Sequence, residues 1–119
     1  MKIEVARQLL DAKVLCGEDS LKTEVYSACG SDMMSDVLAY VKDQALLLSG
    51  LVNEQVIRTA AMMDMKCIVF VRSKQPTAEM VELARANGIV VLTTHLRMFE
   101  ACGKLYAAGL NNDEVAPDV

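Results

Sequence analysis

Tryptophan is absent, histidine occurs once, proline twice, and aromatic residues make up only 4% of the 119 positions. The lone histidine, His95, leaves little room for a histidine-based nucleophilic device, and no serine is marked as its partner. The four cysteines, Cys16, Cys29, Cys67 and Cys102, stand far apart without a C-x-x-C pair, so their spacing does not read as a zinc site. No apolar run approaches the roughly 18 residues that span a bilayer. The opening MKIEVARQLLDAK breaks its apolar residues with charge and has no signal-peptide h-region, so reduced, buried thiols in a cytoplasmic protein are expected. An excess of basic residues is also missing: 12 Lys and Arg face 16 Asp and Glu, which argues against a general nucleic-acid binder. The Walker loop, the dinucleotide fingerprint and the G-x-S-x-G elbow are not found.

What the chain does have is apolar content, 53%, too much for a disordered segment. The length fits one folding unit, expected over residues 1–110, with a loose acidic tail over 111–119. Two hydrophobic periods alternate along it. Ile3, Ala6, Leu9 and Leu10 mark a helix face, and KVLCG is a short apolar run stopped by Gly17. Residues 22–29 read as a strand. Ser31 or Asp32 is placed to cap a helix with Met33, Val37 and Val41 on one face. ALLLS ends at Gly50, and Asn53 caps a helix carrying Val56, Ile57 and Ala60. CIVFV leads to the loop Arg72–Pro76, after which Thr77 caps a helix that Gly88 ends. IVVLTT is the last strand, and His95 leads into a helix on which Leu96, Phe99, Gly103, Tyr106 and Leu110 form the apparent stripe. Gly103 is expected to bring that helix close to the sheet.

Short continuous apolar strands separated by amphipathic helices define an α/β protein, with the later three strands parallel and residues 22–29 running either way. In such sheets ligands bind beyond the carboxyl ends of the strands. Those ends carry Gly30, Ser31, Asp32, Gly50, Asn53, Arg72, Lys74, Thr93, Thr94 and His95. Glycines permit close approach, helix N-termini favour anions, and Arg72 and Lys74 add positive charge, a combination suited to a phosphate or carboxylate. The same residue types are also ordinary caps and turns, each cap contributing about 1 kcal/mol. Eight methionines serve either as core filler or as an adaptable helix surface.

From Tyr26 to Gly109 the chain resembles the DRTGG-domain family. The resemblance rests on YSACGSDMMSDVLAYV, LLLSGLVNEQVIRTA, CIVFVRSKQPTAEMVELARANGIVVLTT and MFEACGKLYAAGL, in that order. It implies a three-layer α/β/α fold, with a mostly parallel sheet of about five strands and helices on both faces. It also implies similarity to the amino-terminal domain of HPr kinase/phosphorylase, without that enzyme's P-loop chemistry. Family members that stand alone are often encoded near iron-only hydrogenases and sensor kinases, which implies regulation. Gly30, Ser31, Asp32 and Asp36 match the family's fold-defining positions. The chain departs from the naming motif: Leu51-Val52-Asn53-Glu54 stands where Asp-Arg-Thr would follow the strand at 45–49, and Arg72-Ser73 stands where a Gly-Gly pair would follow CIVFV.

The expectation is therefore a non-catalytic regulatory or ligand-sensing domain. It would form a homodimer, act through a protein partner and take an anionic small molecule or nucleotide, with no cofactor, metal, nucleic acid or membrane. The alternatives are a small enzyme acting on a phosphorylated or carboxylated metabolite, and a ligand-free structural adaptor.

Overall fold

In the computed structural model, residues 1–40 and 45–111 are described. The expectations for Val41 and for the acidic tail beyond residue 111 lie outside them. The elements are α1 (Ile3–Leu9), β1 (Lys13–Cys16), a 3-10 turn (Glu18–Ser20), β2 (Ser27–Gly30), α2 (Met34–Tyr40), β3 (Ala45–Ser49), α3 (Glu54–Met62), β4 (Cys67–Phe70), α4 (Ala78–Ala86), β5 (Val90–Thr93) and α5 (Met98–Ala107).

The five strands form one sheet in the order β1-β5-β4-β3-β2. β2 through β5 are parallel nearest neighbours, and β1 is antiparallel to β5. β3, β4 and β5 are buried along their whole length, which is why they read as unbroken apolar runs rather than alternating ones. Leu46, Leu48, Val69, Val71 and Leu92 point to one face, where Ile3, Ala6 and Leu10 of the α1 region and Ala101 and Leu105 of α5 cover them. Leu47, Ile68, Phe70 and Val91 point to the other, beneath Val37 of α2, Val56 and Ile57 of α3, and Met80 and Ala84 of α4. Each fully buried aliphatic side chain contributes roughly 1.5–3 kcal/mol, so both layers are needed to stabilise a chain of this size.

The strand expected at 22–29 shortens to Ser27–Gly30 because the preceding residues pair elsewhere. The backbone of Ile3 donates to Thr23, Glu4 to Leu21, and Val25 to Met1. β2 runs parallel to β3, the choice the sequence pattern left open.

The stripe expected on α5 is corrected at Phe99, Gly103 and Tyr106, while Leu110 is buried and Leu96 packs against the same layer. The helix turns Ala101 and Leu105 inward, leaving Phe99 at 89% and Tyr106 at 65% exposure. Gly103 makes no close approach, since a Cβ there would meet nothing within 4 Å. The tight contact is made by Gly30 instead, where a Cβ would lie 2.7 Å from the Cys102 sulfur and 3.2 Å from the Met98 sulfur. Ala101, Cys102 and Leu105 face the sheet, and the two aromatics are turned out.

Candidate functional site

The parallel strands advance in one direction, from β2 to β5, without a reversal of order. The crevice of a doubly wound sheet, which opens where strand order reverses, therefore does not form here. A groove arises another way. After β5 the chain returns across the opposite face and packs α5 against β3. The first turn of α5 then stands over the ends of β2 and β4. Gly30, Ser31, Asp32, Val71, Arg72, Arg97, Met98 and Phe99 enclose a groove of about 450 Å³ there.

Its electrostatics are set by two guanidiniums and one carboxylate. Arg72 lies 3.9 Å from Asp32, with both side chains half-exposed. Arg97 pairs with no carboxylate among the described residues. Ser31 or Asp32 was expected to cap α2, and Asp32 turns away. Its Oδ1 accepts from the Gly50 backbone N–H at 2.7 Å and the Ser49 hydroxyl at 3.2 Å, tying the end of β2 to the end of β3. Ser31 makes the local turn instead, its hydroxyl accepting from Met33 N–H at 2.9 Å. Arg97, at the N-cap of α5, makes no side-chain cap, so the first turn of this 10-residue helix presents its N–H groups without one.

The loop after β4 shapes this wall. Arg72 and Ser73 both adopt left-handed backbone conformations, φ 59° and 58°. Their N–H groups donate to Leu96 and Thr94, each at 2.8 Å, which clamps the loop to the one preceding α5. A left-handed residue with a side chain costs roughly 1–2 kcal/mol. Glycine adopts this geometry freely, and this is where a Gly-Gly pair would stand in the family motif. Here the chain carries a cation at the first of the two positions.

The ten residues expected at the rim divide into three groups. Gly30, Ser31, Asp32 and Arg72 line the arginine groove. Thr93, Thr94 and His95 line a second one of about 300 Å³, together with Asp11, Lys13, Ser73 and Gln75. Gly50, Asn53 and Lys74 line neither. Asn53 is the N-cap of α3, its side chain accepting from Val56 N–H at 3.2 Å. The Lys74 carbonyl accepts the Thr93 hydroxyl at 2.8 Å. The two rim glycines do not leave space for a ligand as expected. Gly30 is covered by Cys102 and Met98, and Gly50 by the Arg72 guanidinium, whose Cζ would lie 3.1 Å from a Cβ at that position.

Arg97, Met98 and Phe99 were missed by sequence reasoning. The available signal was a cation directly before the last helix, but its meaning depends on where α5 crosses the sheet. All four cysteines are free; Cys16 and Cys67 are buried, Cys29 and Cys102 half-buried, and burial raises all four thiols above their ordinary range. None of the described helices is long and apolar enough to cross a membrane.

A three-layer domain with a charged groove at its strand ends defines the class: an α/β module with helices on both faces of a mostly parallel five-stranded sheet. The DRTGG-domain family model matches residues 4–108, and the chain belongs to that family. A crystal structure of the CBS and DRTGG domains of the regulatory region of Clostridium perfringens pyrophosphatase, complexed with its activator diadenosine tetraphosphate, is similar to this chain. The TM-score is 0.71 at 14% identity, over 98% of this chain and 51% of that one. The likeness shows a shared fold, and the chain spans about half of that regulatory region. No curated protein matches the chain.

Proposed function

We propose that this chain is a non-catalytic, ligand-sensing regulatory domain that binds an anionic small molecule, a nucleotide in the first instance, in the groove between the ends of β2 and β4 and the start of α5. One observation carries the reading: Arg72 and Arg97 converge on a groove of about 450 Å³ beside an aromatic ring that is 89% exposed. The volume lies within the range of small-molecule sites. Guanidiniums form charge-assisted hydrogen bonds to phosphate oxygens, the first turn of α5 adds N–H groups, and the free face of Phe99 can stack on a base. The nucleotide bound by the similar pyrophosphatase regulatory region supports the ligand class. Asp32, the one carboxylate among the lining residues, is already engaged by Gly50 and Ser49. That commitment supports binding rather than turnover.

In the same reading the unit spans residues 1–110, works in the cytoplasm, forms a homodimer and passes its signal to a protein partner. Hydrogenase-associated and sensor-kinase systems are the setting the family resemblance favours, alongside its kinship with the amino-terminal domain of HPr kinase/phosphorylase. Exposed Met33, Met62, Phe99 and Tyr106 provide apolar surface for those contacts.

A thermal-shift panel of diadenosine tetraphosphate, ATP, ADP, AMP and inorganic pyrophosphate tests ligand binding. A ligand present at 100 times its dissociation constant stabilises the fold by about 2.7 kcal/mol. A flat melting temperature across the panel at millimolar concentration sinks the reading. Light scattering tests the dimer, which a monomer at high concentration overturns.

A further inference from the structure

We propose that Asp32 is a built-in competitor for Arg72, so that an anion entering the groove exchanges with a carboxylate of the protein itself and frees the arginine arm from the end of β3. The proposal rests on the reading of the groove as an anion site and specifies how that site is regulated.

Three strand ends meet at this point. Asp32 follows β2, Ser49 and Gly50 close β3, and Arg72 follows β4. The two oxygens of the Asp32 carboxylate have different tasks. Oδ1 holds β3 through the Gly50 N–H at 2.7 Å and the Ser49 hydroxyl at 3.2 Å, and Ser49 in turn accepts from Leu51 N–H at 3.2 Å. Oδ2 faces Arg72 at 3.9 Å, beyond good hydrogen-bond length and half-exposed. The first task is firm and the second is loose. An exposed pair at that distance contributes little, and a phosphate that accepts short charge-assisted bonds outcompetes it.

Arg72 is also placed where its departure has a consequence. Its guanidinium lies against Gly50, so that a Cβ there would clash with Nη2 and come within 3.1 Å of Cζ and 3.2 Å of Nε. Its backbone is anchored independently of the side chain, by its own N–H to Leu96 and by the Ser73 N–H to Thr94. The arm can therefore swing while the loop stays fixed. With the arm down, Gly50 is covered and the groove's charge is partly neutralised. With the arm on a ligand, Gly50 and the start of the β3–α3 loop are uncovered, and Asp32 keeps its hold on them.

The assignment reverses the simple expectation for Asp32. A residue that contacted the ligand would weaken binding when changed, whereas a competitor strengthens it. Two variants release the arm by different routes. Asp32→Asn keeps an oxygen for the Gly50 N–H but removes the competing charge. Gly50→Ala leaves every charge in place and displaces only the far end of the Arg72 side chain.

Inorganic pyrophosphate is titrated into the whole chain by calorimetry, with the Arg72 Nε–H and Gly50 amide followed by NMR. Asp32→Asn and Gly50→Ala are each expected to bind about twofold more tightly than the unchanged chain. In the unchanged chain, the Gly50 amide and Arg72 Nε–H signals should shift together as pyrophosphate binds. If Asp32→Asn or Gly50→Ala binds equally or more weakly while Arg72→Gln still weakens binding, the competitor role is overturned and the anion site stands. If binding is indifferent to Arg72→Gln and Arg97→Gln, the anion site itself falls. An absence of binding by the unchanged chain and by both released variants at 10 mM, roughly ten times the weakest millimolar affinities of interest, removes both.

Discussion

Two grooves open along the same edge of the sheet, and their polar groups are used differently. In the groove beside β5, both threonine hydroxyls are spent on the fold. Thr94 is buried, donates to the Leu10 carbonyl at 2.6 Å and accepts from Leu96 N–H at 3.2 Å, while Thr93 donates to the Lys74 carbonyl. Those bonds join the end of α1, the loop after β4 and the approach to α5, so that groove is a seam. In the groove beside β2 and β4, Arg97 has no ion-pair partner among the described residues and Arg72 has only a distant one. Two guanidiniums without a close carboxylate, rather than polarity or depth, separate the candidate site from the joint.

Four variants test that contrast. The largest effect is expected from Thr94→Val, which leaves the Leu10 carbonyl without its donor in a buried position. It should cost about 1–3 kcal/mol in urea unfolding without altering pyrophosphate affinity in the folded protein. A cost below 0.5 kcal/mol, about the level of an ordinary surface change, would deny the seam. Next comes the double change Arg72→Gln with Arg97→Gln. It should lower pyrophosphate affinity at least tenfold, about 1.4 kcal/mol, and move the melting temperature little. Retained affinity would erase the distinction between the grooves.

Ser73→Gly lies on the wall between them and should sharpen the picture. It replaces a left-handed serine and should raise stability by about 0.5–1 kcal/mol, once the greater freedom of glycine in the unfolded chain is counted. Destabilisation would mean that the side chain contributes more than the strain costs. The smallest effect is expected from His95→Ala. His95 is exposed, so its loss should change stability by under about 0.5 kcal/mol and leave pyrophosphate binding unchanged. A clear loss of binding would move the site to the seam.

The features legible in the sequence are the ones that act locally. Asn53 and Thr77 were readable as caps because each bonds an N–H three residues on, at 3.2 Å in both cases. Asp32 looked equally like a cap, yet its carboxylate reaches 18 residues along the chain to Gly50. Nothing in the segment around it announces that partner. The α5 helix was misread because its largest apolar side chains were assigned inward, whereas the helix turns Ala101 and Leu105 to the strands and leaves Phe99 and Tyr106 outside. The antiparallel course of β1 was equally hidden, since a four-residue strand carries no mark of its direction.

Hydrophobic period and turn chemistry determined the alternation of strands and helices and the burial of β3, β4 and β5, because each depends on residues a few positions apart, while the family was legible as a resemblance of four segments in order. Tertiary structure alone decided that Arg72 meets Arg97 across a groove and that Asp32 stands between the cation and the end of β3. Those encounters depend on where α5 recrosses the sheet and on a left-handed turn after β4. Both are set by packing between segments distant in the chain.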